Sequence, residues 1–325
     1  ADTIHKALEA SVRETGRTYF ERNEANPLEE DLIIVDEASM LDISLFYHLL
    51  CALKDGARLI LVGDIDQLPP VGAGEPLKDL MSWGYVPIVR LKRIFRQEEG
   101  SGIVENAALI RKGEMCVPDE AGEFRIVYAA DDEDAYRIVM DLCRELNYGN
   151  EENKMLLQVL SPMYRGVCGV DHLNESLQEM IHGEKVPDGM KFFPGDKVMQ
   201  TRNDYEKGIY NGDVGTVWTA TPQKVFVRYF DKEVVYEGEE RFDLRLAYAV
   251  TVHKSQGSEY ETVIFILRPS QHNMLQRNLL YTGVTRARKN TILVTAPDAL
   301  RRALAIQHTG NRYSLFLPFL NHEAL

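Results

Sequence analysis

Two apolar runs that each stop on carboxylates constrain the fold most. DLIIVDEASM (31–40) ends its run at Asp36 and Glu37, and ARLILVGD (57–64) ends at Asp64. A helical pattern over about 42–54 separates the runs, another lies near 75–83, and VPIVRL (86–91) reads as a further strand. Short apolar strands alternating with helices indicate a parallel α/β sheet buried on both faces. Residues 96–112 read as helical. FRIVYA (124–129), a helix over 132–147 and MLLQVLSP (155–162) then repeat the pattern as a second α/β unit.

Residues 192–238 have a different texture, with short aromatic and β-branched runs broken by Pro-Gly and Asn-Gly turns. That pattern predicts a small antiparallel barrel. AYAVTVHKSQGSEYETVIFIL (247–267) returns to strand, loop, strand, and LLYTGVTRARKNTILVTA (279–296) supplies a helix and a last buried strand, so the barrel is inserted into the second α/β unit. There is no repeat of solenoid period and no low-complexity tract.

At 325 residues, 45% hydrophobic and 27% charged, the chain is long enough for two or three packed units. No stretch has the eighteen or so apolar residues of a membrane helix, and ADTIHKAL lacks the flanks of a signal peptide; a cytosolic location is expected. Cys51, Cys116, Cys143 and Cys168 stand singly with no C-x-x-C pair, which predicts buried reduced thiols rather than zinc ligands or disulfides. The net charge of −13 argues against tight duplex binding. It leaves room for a local basic groove, as the cluster Arg286, Arg288 and Lys289 illustrates.

A carboxylate at the end of a parallel strand points into the crevice where such sheets bind ligands. Asp36 there can hold Mg²⁺, directly or through water, and Glu37 can orient and deprotonate a water aimed at a γ-phosphate. The plainer reading is that the pair ends a strand and caps the next helix. LILVGDIDQLPPVGAG (59–74) carries Gln67 in its loop, long enough to reach a phosphate oxygen or simply to lie at the surface. Two neighbouring strands ending in polar loops favour a shared crevice. Thr251, His253, Lys254 and Ser255 follow the strand AYAV, with Gln256-Gly257 permitting close backbone approach; hydroxyls, a cation and amides at a strand end suit a phosphate backbone. His253 has no His or Cys partner at ligand spacing, so metal binding is not expected of it.

VDEASMLD (35–42), VGDIDQLPPVGAG (62–74), LKRIFRQ (91–97), VLSPMYRGVCGVDHLN (159–174), AYAVTVHKSQGSEY (247–260) and LLYTGVTRAR (279–288) resemble, in order, the helicase motifs of superfamily 1, in its RecD/TraA branch. The resemblance covers almost the whole chain. It implies RecA-like P-loop NTPase motor domains with an inserted small SH3-like β-barrel: 1–90 as a partial first motor domain, 91–190 with 246–325 as the second, and 191–245 as the barrel. It implies an ATP-dependent DNA helicase translocating 5′ to 3′ on single-stranded DNA in recombination and repair, with ATP and Mg²⁺ as cofactors and nuclease-complex subunits as further partners. Carried over residue by residue, Arg96 and Arg286 are the arginines at the γ-phosphate. Glu259, with Gly257, lies near the nucleotide. Thr3 and His5 in TIHKAL, together with Thr251, His253 and Lys254, touch the strand. Arg165 is either a strand contact or structural.

Of the barrel aromatics Tyr205, Tyr210, Trp218, Tyr229 and Phe230, each can stack on bases or fill the core. Residues 15–30 match the position of a strand-separating hairpin or form a plain loop. The pattern breaks at one place. The motor needs G-x-x-x-x-G-K-[ST], and the chain has no Gly-Lys dipeptide. The family's order puts that loop upstream of TIHKAL, so the expectation is a C-terminal part of a longer helicase, with a truncated first sheet and very poor ATP hydrolysis. The alternatives are a non-catalytic nucleic-acid-binding or scaffold module and the helicase part of a conjugative relaxase.

Overall fold

The computed structural model describes residues 2–12, 18–91, 100–187, 189–204, 206–307 and 316–321. The chain divides into two compact units, Ala1–Lys92 with Thr309–Leu325, and Arg93–His308.

In the first unit a short helix α1 (Ile4–Ala7) leads into an antiparallel hairpin of β1 (Ala10–Val12) and β2 (Thr18–Phe20), which begins earlier than the expected 15–30. Strand β3 (Leu32–Val35), helix α2 (Ile43–Cys51), strand β4 (Arg58–Leu61) and helix α3 (Pro76–Trp83) follow. Helix α2 starts at Asp42, whose carboxylate accepts from Leu45 N at 2.8 Å and so satisfies one free N–H of the first turn.

Strands β3 and β4 pair in parallel, Leu32 opposite Arg58 through Val35 opposite Leu61, as a two-stranded sheet. One face packs Ile33, Val35, Leu59 and Leu61 against Leu8, Phe20, Leu49 and Ala52. The other face leaves Leu32, Ile34 and Ile60 exposed, up to 61% at Ile34. VPIVRL is not a strand. Pro87 lacks the N–H a ladder needs, and Val89 and Leu91 are each 87% exposed. A helix at Phe316–Leu320 groups with this unit, the Phe316 ring standing edge-on to Phe46 at 5.8 Å.

The second unit opens with α4 (Gly102–Lys112), followed by β5 (Phe124–Tyr128), α5 (Asp132–Glu145), α6 (Glu151–Leu156), β6 (Leu157–Ser161) and α7 (Val170–His182). The first turn of α5 holds Asp132, Glu133 and Asp134, which the helix dipole favours there. Met155 and Leu156, expected at the start of a strand, instead close α6.

The antiparallel strands β7 (Lys197–Gln200), β8 (Val214–Ala220), β9 (Lys224–Arg228), β10 (Glu233–Glu237) and β11 (Leu244–Leu246) form one sheet in the order β10-β9-β8-β7-β11. Phe192, Val198, Val217, Val227, Tyr236 and Leu244 fill its core. Then come β12 (Ala249–Thr251), β13 (Tyr260–Leu267), α8 (Arg277–Val284), β14 (Ala287–Thr295) and α9 (Pro297–Ala305). Strands β12-β6-β13-β14-β5 make a five-stranded parallel sheet, its central strands buried along nearly their whole length, as continuous apolar strands with both faces covered should be.

A buried polar cluster joins the antiparallel sheet to the parallel one. Asp196 accepts from Tyr248 Oη at 2.9 Å and Phe193 N at 2.8 Å, with His182 Nε2 at 2.8 Å. Lys197 Nζ donates to Gln158 Oε1 at 2.9 Å and Leu157 O at 3.1 Å, and stands 5.7 and 5.5 Å from the ring centroids of Tyr148 and Tyr260. Complete burial pushes its ammonium down to about 7, and Lys154 adds to the shift.

Candidate functional site

In the first unit the end of β3 carries Asp36 exposed and Glu37 half-buried. Glu37 has φ 51°, ψ 38°, in the left-handed region that non-glycine residues avoid. Its N–H donates to Asp36 Oδ1 at 2.8 Å, and Ala38 N donates to Val62 O at 2.8 Å, which ties this loop to the end of β4. The sequence permits that approach through Gly63, where a Cβ would stand 2.9 Å from Ser39 N and 2.8 Å from Leu77 Cδ2. Gln67, half-buried, lines one small cavity with Ala38, Ser39, Glu75 and Lys78. The Ser39 hydroxyl is buried there without a hydrogen-bond partner among the described residues. Asp36 and Glu37 thus stand at the end of β3, and Gln67 lies in the loop that follows the neighbouring strand β4.

Thr3 caps α1, its Oγ1 accepting from Lys6 N at 3.2 Å. His5 lies 5.9 Å from the Phe20 ring, and burial lowers its pKa against the opposing pull of Asp42.

In the second unit Thr251 ends β12, buried, and its Oγ1 accepts from Lys254 N at 3.3 Å, fixing the 3-10 turn Val252–Ser255 that also carries His253. Lys254 Nζ donates to Asn211 Oδ1 at 2.5 Å, and its pKa is lowered by burial and then by Arg245. Gly257, at φ +75°, turns the loop back toward β13. Glu259 accepts from Arg288 Nε at 2.6 Å. Arg286 is 1% exposed; its Nη1 donates to Ser258 O at 3.3 Å and its Nε to Thr282 O at 3.2 Å, binding the Gly257–Glu259 loop to α8. Arg165 is exposed on the turn before α7.

Arg96 and Tyr205 lie outside the described residues. Of the other barrel aromatics, Tyr229 is buried with its hydroxyl 2.7 Å from that of Tyr236, Tyr210 is half-buried, and Trp218 and Phe230 are exposed. Burial pushes the thiols of Cys116, Cys143 and Cys168 up to about 12. No cluster of three metal-ligating side chains occurs among the described residues. A lone strand-end carboxylate suits Mg²⁺, which keeps waters and phosphate oxygens as its other ligands. No helix among the described residues is long and apolar enough to cross a membrane.

Sequence reading missed Asn211, which accepts from Lys254, Arg245, which opposes its charge, and Tyr164, whose ring lies 5.9 Å from Arg245. Nothing in the local pattern marks them.

A parallel α/β layer in each unit and an antiparallel sheet inserted in the second define the class: a RecA-like α/β fold with an SH3-like insertion. Residues 1–125 match the AAA domain family, 173–229 the ATP-dependent RecD-like DNA helicase SH3 domain, and 246–294 the UvrD-like helicase C-terminal domain. The chain is 37% identical over 319 residues to the ATP-dependent RecD2 DNA helicase of Deinococcus radiodurans, an alignment covering 97% of this chain and 42% of that protein. It is 32% identical over 335 residues to the RecBCD enzyme subunit RecD of Mycolicibacterium smegmatis, covering 97% and 59%. Among solved structures, the Pif1 helicase from Bacteroides in complex with ADP-AlF3 and ssDNA superposes with a TM-score of 0.57 at 20% identity, over 98% of this chain and 82% of that one. The Candida albicans Pif1 helicase gives 0.55 at 20% identity, over 91% and 77%. The chain is similar to RecD-like DNA helicases along nearly all of its length, and spans 42% and 59% of the lengths of these two curated relatives.

Proposed function

We propose that this chain carries motor and strand-binding residues of an ATP-dependent DNA helicase that moves 5′ to 3′ along single-stranded DNA. The observation that carries the reading is the strained Glu37 beside Asp36, braced by the Gly63 loop that also places Gln67. Left-handed non-glycine backbone clusters at active sites and ligand clamps, and here it falls on the second carboxylate of the pair.

Asp36 would hold Mg²⁺, which supplies charge neutralisation at the transferring phosphoryl group. Glu37 would orient a water and take its proton, and Gln67 would hydrogen-bond a phosphate oxygen. Arg286 and Glu259, with Gly257, would serve the nucleotide. Thr251, His253, Lys254, Arg165, Thr3 and His5 would serve the strand. The relative named as a RecBCD enzyme subunit supports partner subunits, those of a nuclease complex, for this protein.

These 325 residues hold no Gly-Lys dipeptide, so no part of this chain supplies the amides and lysine that grip the β- and γ-phosphates. By itself the chain should bind strands without turning over ATP. The test is ATP hydrolysis with and without an oligo-dT strand, alongside anisotropy of the labelled strand. Salt-sensitive binding with no turnover supports the reading. Strand-stimulated turnover abolished by Glu37→Gln would show that the chain needs no phosphate loop of that form. Neither binding nor turnover would overturn the helicase assignment for these residues.

A further inference from the structure

A turn, a strand and a loop of the second unit converge on one cationic surface. The turn over 162–169 is fixed by its own backbone: Gly169 N donates to Gly166 O at 2.9 Å, Val170 N to Met163 O at 2.9 Å, and Asp171 N to Tyr164 O at 3.0 Å. Only glycine fits at 169, where a Cβ would stand 2.5 Å from the Tyr164 carbonyl oxygen. A turn held this way presents the Tyr164 ring, 43% exposed, and Arg165 beside it.

Arg245 reaches the same place from β11. Its guanidinium carbon lies 5.9 Å from the Tyr164 ring centroid, and its one ion-pair contact among the described residues, Asp171 Oδ1, is 3.7 Å away. Arg245 also opposes the charge of two neighbouring ammonium groups, Lys254 and Lys191, and Arg241 does the same at Lys191. In a chain of net charge −13, crowded cations of this kind are stabilised by an incoming anion. An exposed aromatic ring among them adds a surface for a base.

We propose that Tyr164 and Arg245 form a strand-binding subsite for single-stranded nucleic acid: a base stacks on the Tyr164 ring, and an adjoining phosphate takes the Arg245 guanidinium. The proposal rests on the reading of Lys254 as a strand contact. It extends that contact to a residue of the barrel sheet and to the turn before α7. Phosphate binding by Arg245 supplies sequence-independent affinity, as a translocating motor requires, and stacking on tyrosine is equally tolerant of base identity.

The test is fluorescence anisotropy of a labelled oligo-dT strand with the whole chain, across a salt series, for wild type and for Arg245→Ala, Tyr164→Ala, Tyr164→Phe and Lys254→Ala. Arg245→Ala should flatten the dependence of log affinity on log salt by about 0.7, the share of one single-strand phosphate. Tyr164→Ala should weaken binding roughly tenfold with the salt dependence unchanged, and Tyr164→Phe should keep wild-type affinity. An abasic strand should erase the difference between Tyr164→Ala and wild type. If Lys254→Ala weakens binding while Arg245→Ala and Tyr164→Ala leave affinity and salt dependence unchanged, the subsite is wrong and the strand-binding reading stands. If the wild-type chain binds no strand at any salt, both are wrong.

Discussion

Glu37 shows how much one backbone angle says about a site. The residues that follow it, Ala38 and Ser39, come so near Gly63 that a Cβ there would stand 2.9 Å from Ser39 N, and that contact is testable. Gly63→Ala should lose about 1–3 kcal/mol of stability in urea denaturation, because the added methyl must displace the Ser39 and Ala38 backbone as well as the Leu77 side chain. Lys197 makes a second residue-scale prediction. Its pKa falls from an ordinary 10.5 to about 7 on burial, so between those values the folded chain releases a proton that the unfolded chain keeps. Stability contributed by this group therefore rises with pH across that window and is lost as pH falls toward 7. The stability difference between wild type and Lys197→Met, measured by urea denaturation at pH 7, 8 and 9, should move in favour of wild type by on the order of 1 kcal/mol per pH unit. A difference that stays flat would mean that the amine keeps its proton. The Asp36–Glu37 pair was legible in the sequence because an apolar run ended on it. The strain at Glu37 and the charge state of Lys197 were not, since each depends on what distant segments press against it.

Among the elements, those with a clear period read well. Helices α2, α3 and α5 and strands β5, β13 and β14 lie where apolar spacing puts them. VPIVRL failed as a strand because composition alone does not make one: its residues have strand propensity, but Pro87 cannot donate to a ladder and Val89 and Leu91 stay exposed. Met155 and Leu156 went to α6 for a related reason, since a short apolar run does not show by itself where a helix hands over to a strand. The bare face of the β3–β4 pair gives a prediction at this scale. Ile34→Thr and Ile60→Thr should each change the stability of this chain by less than about 0.5 kcal/mol. Val35→Ala, on the packed face, should cost about 1–3 kcal/mol. Urea denaturation separates the two outcomes, and a large loss at Ile34 would mean that its face is covered in solution.

For the whole molecule, the four cysteines report on packing. Cys116, Cys143 and Cys168 are buried with raised thiol pKa values, whereas Cys51 is half-buried. A thiol reagent should therefore titrate one cysteine quickly in the native chain and four in denaturant; rapid native reaction of two or more would contradict the packing around α5 and the turn before α7. The sequence by itself determined the parallel α/β layers, the inserted barrel and the order of the motif loops, because these follow from local period, turn chemistry and residue spacing. The tertiary structure alone decided that Arg286 is buried against backbone carbonyls, that Tyr229 faces a core while Phe230 faces solvent, and that Arg245, Tyr164 and Lys254 share one surface. Neighbours along the chain set a strand's alternation or a helix's cap. The burial of a guanidinium and the crowding of like charges are set by groups that meet only after the chain has folded back on itself.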